Sequence, residues 1–176
     1  MSGCHRQRQR VRAKLPFRNA LCEVVNLHDD ALSFEPIYRV VFGADEEKLL
    51  SALKDYAGNL NGAEEKQTTT IVTVKGESEL SFNKPEKQLT VGTLQDFLDK
   101  FVSQNEGVEV DYVHGEDSVR EIVKKTGAIG FIFTGMQKSQ LFKTVIFDGA
   151  LPRKTFSMGH ARDKRYYLEC RKIKKD

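Results

Sequence analysis

The chain predicts an α/β (mixed α+β) protein, a mixed sheet of about six or seven strands with three or four packed helices. Three observations carry this. Short apolar, β-branched runs recur between turn residues. One stretch after Thr93 repeats its apolar residues at helical spacing. Strands and helices alternate through the second half, while the first half contains a hairpin.

Taken in order, Ala20 to His28 (ALCEVVNLH) reads as a largely buried strand, and Ile37 to Phe42 (IYRVVF) as a second. The turn-rich DDALSFEP joins them. Asp45 is placed to cap a helix, with Glu46 and Glu47 at its positive end. Leu49, Leu50, Leu53 and Tyr56 share one face of that helix, and Gly58 is its expected stop. TTTIVTVKG followed by ESELSF predicts a hairpin turning near Gly76. Leu94, Phe97, Leu98, Phe101 and Val102 form one buried helical stripe, with Thr93 as cap and Gly107 as stop. VEVDYV is a strand, and SVREIVKKTG is a helix in which Ser118 and Glu121 have capping-box spacing. AIGFIFT, between Gly127 and Gly135, predicts a central strand. MQKSQLFKTVIFDG offers another helix, with Met136 and Phe142 expected in the core. In RYYLECRKI, Tyr166, Leu168 and Cys170 alternate with Tyr167, Glu169 and Arg171, the pattern of a half-buried strand.

At 176 residues, with 39% hydrophobic and 30% charged side chains, the chain can bury a globular core and is not of disordered composition. Residues 1–17 read as a basic, disordered segment and 18–176 as a single domain. No apolar run approaches the roughly 20 residues of a spanning helix, so no membrane partner is expected. Cys4, Cys22 and Cys170 are scattered and form no CxxC pair, which fits a reducing cytoplasm rather than a disulfide framework. The net charge is +3, of which residues 1–18 supply +6 and 162–176 supply +4, leaving −7 for 19–161. An acidic body with basic ends argues against nucleic acid, whose binders gather positive charge on a folded face.

Candidate chemistry is sparse. His28 is followed by Asp29 and Asp30, and His114 by Gly115, Glu116 and Asp117. Imidazole beside carboxylate can bind a metal or share a proton, and parallel strands would bring both clusters to one edge. The same residues are also ordinary turn chemistry, and no tight metal-ligand spacing or catalytic set is evident. His160 follows Ser157 in TFSMGH, without the first glycine of a nucleophile elbow. Neither GxGxxG nor GxxxxGK[ST] occurs. The segment PRKTFSMG remains. Arg153 and Lys154 follow Pro152, while Ser157 and Gly159 offer a hydroxyl and a backbone N–H for a phosphate or carboxylate. Arg39 is the expected third cation if its strand lies adjacent. Against this, basic residues before an edge strand also discourage unwanted strand pairing and need no ligand.

NLHDDALSFEPIYRVVF, LFKTVIFDGALPRKTFSMG and KRYYLECRKI, in this order, resemble the C-terminal part of bacterial proteins of the domain of unknown function family 1015. The resemblance covers Arg18 to Ile173, leaving out the Arg-rich opening. It implies longer relatives whose upstream half carries an Asp-Gly-x-His motif not matched here. It also implies histidine where this chain has Tyr38, and an acidic residue where it has His160. The reading that follows is a non-catalytic cytoplasmic domain completing a small-molecule or nucleotide-handling site. The alternatives are part of an ATP- or ADP-dependent kinase or nucleotide hydrolase, with Arg39, Arg153 and Lys154 neutralising phosphate, and, last, a nucleic-acid binder.

Overall fold

In the computed structural model, which describes residues 24–159, the alternating run FEPIYRVVF forms the strand around which the sheet is organised. This strand, β1 (Phe34–Phe42), lies between β4 (Glu109–His114) and β5 (Ile129–Phe133). Beyond β5 come β2 (Gln67–Thr73) and then β3 (Gly76–Phe82), giving the order β3-β2-β5-β1-β4. A three-residue strand, β6 (Phe156–Met158), pairs with Phe34 to Pro36 at the start of β1. The helices are α1 (Glu46–Asn59), α2 (Thr90–Gln104), α3 (Glu116–Thr126) and α4 (Gln140–Asp148). Among the described residues, six strands and four helices thus build the α+β fold, and every strand pairing is antiparallel.

The period of two along β1 sends its residues to two covered faces. Tyr112, Arg39, Phe131 and Ile71 stand in register across β4, β1, β5 and β2. This row faces α2, where Gln95 accepts from Arg39. One residue on, Asp111, Val40, Gly130 and Val72 form the opposite row, under α3. There a Cβ on Gly130 would stand 2.4 Å from Val119 Cγ1 and 3.1 Å from Val123 Cγ2, so the missing side chain is what admits the helix. The central position predicted for β5 is observed, and all five of its residues are buried.

Local signals explain most element boundaries. Asp45 caps α1, accepting from Lys48 N at 2.8 Å, and Leu49 and Leu53 are fully buried beneath it. This helix passes Gly58 and ends at Asn59. Leu94, Phe97, Leu98 and Phe101 of α2 are buried, as their spacing predicts. The hairpin turns through Val74 and Lys75, with Thr73 opposite Gly76.

Several expectations are corrected. Thr93 is not the cap of α2, which starts at Thr90. The Thr93 hydroxyl instead donates to Gln67 Oε1 at 2.8 Å, while Gln67 Nε2 donates to the Lys87 carbonyl at 2.7 Å. A side chain on β2 thereby holds the preceding segment, and the helix begins a turn early. The Ser118–Glu121 capping box does not form either. Helix α3 starts after Gly115, at φ 85°, and Glu121 pairs with Lys125. Residues 24–28 are not strand, because Asn26 draws the chain into a turn by accepting from His28 N and Asp29 N. Residues 20–23, the basic opening and RYYLECRKI lie outside the described residues. Phe142 is 64% exposed rather than in the core, whereas Met136 is buried. Helix α4 turns Thr144 inward, which carries Phe142 and Ile146 to the outer face.

Gly130→Ala is expected to destabilise the fold by about 1–3 kcal/mol, through a clash that packed valines cannot relieve. Urea unfolding would show this as a lower midpoint at an unchanged slope.

Candidate anion-binding site

A guanidinium in the middle of the sheet organises the loop that follows α4. Arg39 is fully buried, yet every bond it makes has an identified acceptor. Its Nε donates to Gln95 Oε1 at 2.8 Å, and Nη1 to the carbonyls of Ile37 at 2.6 Å and Lys154 at 3.1 Å. Its Nη2 donates to the carbonyl of Arg153 at 3.0 Å. Burial pulls the group down to about 10, which still leaves it charged at neutral pH. The strand of Arg39 does lie beside the loop, but its donors hold the loop backbone rather than point at solvent.

With their carbonyls tied inward, Arg153 and Lys154 present their side chains outward. Arg153 donates to Asp99 Oδ1 at 3.1 Å, and Asp99 also accepts from Gln95 Nε2 at 2.8 Å. The polar chain therefore closes on itself: Arg39 to Gln95, Gln95 to Asp99, Arg153 to Asp99, and Arg39 back to the Arg153 carbonyl. Three cations gather at the Tyr112 ring, with Arg39 Cζ 4.5 Å, Lys154 Nζ 4.6 Å and Arg153 Cζ 5.7 Å from its centroid. The Tyr112 hydroxyl is buried and has no partner among the described residues. Lys154 holds φ 50°, a left-handed conformation that non-glycine residues seldom adopt. Beside Arg153, a cleft of about 340 Å³ opens between α2 and the loop, with Lys87, Asp96, Asp99 and Asp148 among its lining.

Ser157 and Gly159 stand apart from these head groups. Ser157 is buried in β6 opposite Glu35, and the Gly159 N–H donates to the Ser33 carbonyl at 3.0 Å. His160 lies outside the described residues. His28 sits in an exposed turn, and Asp29 accepts from Ala31 N at 2.9 Å in the same turn. His114 ends β4 with Nε2 against the Glu35 carboxylate. The parallel pair of strands that would unite the two histidine clusters is not observed, since residues 24–28, the described part of the strand expected to end at His28, are turn and irregular chain. Among the described residues no group of three or more His, Cys, Asp or Glu is placed to hold a metal.

Gln95, Asp99 and Tyr112 were not singled out from the sequence. A trace of the first two was present: Gln95 and Asp99 are four apart, beside the apolar stripe of α2. Tyr112 shows only as one member of an alternating strand.

A family model described as a protein of unknown function (DUF1015) matches residues 2–101. The chain belongs to this DUF1015 family. The match takes in the Arg-rich opening, which the sequence resemblance had left out, and it stops at Phe101, before the loop motif. No curated protein and no solved structure matches. For the DUF1015 match, the part of the site that falls inside it is Arg39, Gln95 and Asp99; Tyr112, Arg153 and Lys154 fall beyond it.

On the opposite face of β1, Tyr38 donates to Glu116 at 3.3 Å. Burial, followed by the nearby Glu116 carboxylate, pushes its phenol up to about 12. Burial likewise pushes Tyr56 up to about 12. A raised folded pKa favours the protonated form, so this stability is fully present below about pH 10, where free phenols begin to titrate. It is lost as pH climbs towards 12. Urea midpoints measured through that window should fall, and Tyr38→Phe should flatten the fall. Separately, Arg39→Met should cost about 2–4 kcal/mol, because Gln95 and the loop carbonyls lose a charged donor. Hydrogen exchange of residues 151–159 should quicken with it.

Proposed function

We propose that this DUF1015 member is a non-catalytic binding domain that holds a small anionic ligand, a phosphate or nucleotide, at the loop following α4. Arg153 is the principal contact and Lys154 assists as a point charge. The observation that supports this most is the anchoring of both loop carbonyls on buried Arg39, which fixes two outward cations over one ring. The competing Asp99 is an inexpensive one to displace. Its pair with Arg153 is exposed, at 55% and 68% of the side chains, and such pairs contribute little. In the same reading the chain completes a small-molecule site whose reacting groups come from elsewhere in a longer family member.

A surface contact of this kind is weak and screened by salt. Titrating the chain with phosphate and then ADP should shift the amides of Arg153 and Lys154 at low salt. The shifts should diminish at high salt and be lost in Arg153→Ala. Unmoved loop amides, with shifts elsewhere, would reduce the segment to a lead-in to β6. Purified chain should turn over no ATP or ADP. Turnover that Arg153→Ala abolishes would favour the kinase or hydrolase reading instead.

A further inference from the structure

Helix α2 enters the fold without a cap. Its first residues, Thr90 and Val91, are 9% and 4% exposed, and Leu89 before them offers no side-chain acceptor. Gly92 N and Thr93 N both reach the Leu89 carbonyl, but the N–H groups of Thr90 and Val91 have no acceptor among the described residues. A 15-residue helix concentrates partial positive charge at that end, and buried N–H groups left unpaired are costly. Asp148 answers only the residue outside the helix, accepting from Gln88 N at 2.7 Å from the side of the Arg153 cleft.

On the other side lies a cleft of about 430 Å³ that Thr90 lines. Its far wall is α4, through Lys143 and Thr144. Thr144 is 2% exposed, and its hydroxyl has no partner among the described residues. An uncapped helix start and an unpartnered buried hydroxyl therefore border one cavity. Both lack an acceptor. In the lining, Lys66 and Lys143 offset Glu64 and Glu65, so charge does not bar an anion. The rest of the lining includes Thr68, Thr134 and Gln137, which are polar and uncharged.

We propose that this cleft is a second anion site, separate from the Arg153 loop, and that it takes the phosphate of a small hydroxylated phosphate monoester. The phosphate oxygens accept from the Thr90 N–H group and from Thr144, with Lys143 beside them, and the Val91 N–H lies one residue behind the lining. The threonine hydroxyls and the Gln137 amide face the hydroxylated remainder. A volume of this size suits a small molecule.

The test is an NMR titration of the full chain with inorganic phosphate and with glycerol 3-phosphate. The Thr90 and Val91 amides should shift with both, and glycerol 3-phosphate should bind the tighter. Thr144→Val replaces an unpartnered hydroxyl by a methyl group, so it should fold with an unchanged or higher thermal midpoint. It should nevertheless weaken glycerol 3-phosphate by about fivefold or more, the worth of one hydrogen bond to an anion. Arg153→Ala should leave that affinity within about twofold, because Arg153 lines the neighbouring cleft and not this one. Still amides at Thr90 and Val91, or an affinity indifferent to Thr144→Val, would overturn the site. Loss of binding in Arg153→Ala would merge it with the loop, and preference for bare phosphate would remove the monoester.

Discussion

A charge buried at the centre of a sheet must be answered on every side, and Arg39 sets that requirement here. A guanidinium withdrawn from water is tolerated only when its N–H groups find acceptors. Gln95 on α2 and the carbonyls of Ile37, Arg153 and Lys154 meet that demand. Two of those acceptors are about 115 residues away in sequence, so the cation joins the first described strand to the last loop. The positive φ of Lys154 fits the same constraint, since its carbonyl must turn inward while its side chain turns out. Loop, helix and strand are bound into one polar circuit, and the surface cations inherit their positions from it.

The two faces of β1 divide the molecule's polar groups. Arg39 opens towards α2 and the loop cations, while its neighbour Tyr38 opens towards α3 and Glu116. Strand periodicity alone produces this partition. It also separates the anion chemistry from the carboxylates of α3, where Arg120 is already held by Glu77 at 2.7 Å and Glu116 at 3.1 Å. Arg120 on the α3 face is thus held in ion pairs. On the loop face Arg153 is paired with the exposed Asp99, and both Arg153 and Lys154 are exposed to solvent.

What could be read in the sequence was whatever local forces decide. The Asp45 cap, the Leu94–Phe101 stripe and the buried run around Phe131 needed no knowledge of distant partners, and each was legible. Thr93 misled because its hydroxyl serves Gln67, 26 residues away, rather than its own helix. Phe142 misled because apolar character does not say which side of a short helix meets the core. At the candidate site, Arg153 and Lys154 stood out through their spacing. Gln95, Asp99 and Tyr112 did not, since their roles arise only when β4, α2 and the loop converge. The strand β6 was hidden for the same reason: three residues carry too little pattern to announce a pairing.

Helix α4 links the two clefts. It buries only Thr144, half-buries Leu141 and Asp148, and leaves Phe142, Ile146 and Phe147 between 64% and 75% exposed. Thr144 and Leu89 line both cavities, so one thin wall separates them. An element with few buried contacts opens at lower free energy than the sheet beneath it. The wall is therefore the part of the fold with most to gain from further bonds, and its unpartnered hydroxyl points to where they are missing. On the loop side the acceptors are already supplied by Asp99 and Asp148. On the side of the Thr90 cleft, the Thr90 N–H and the Thr144 hydroxyl have none among the described residues, and it is there that an anion would complete the structure rather than displace part of it.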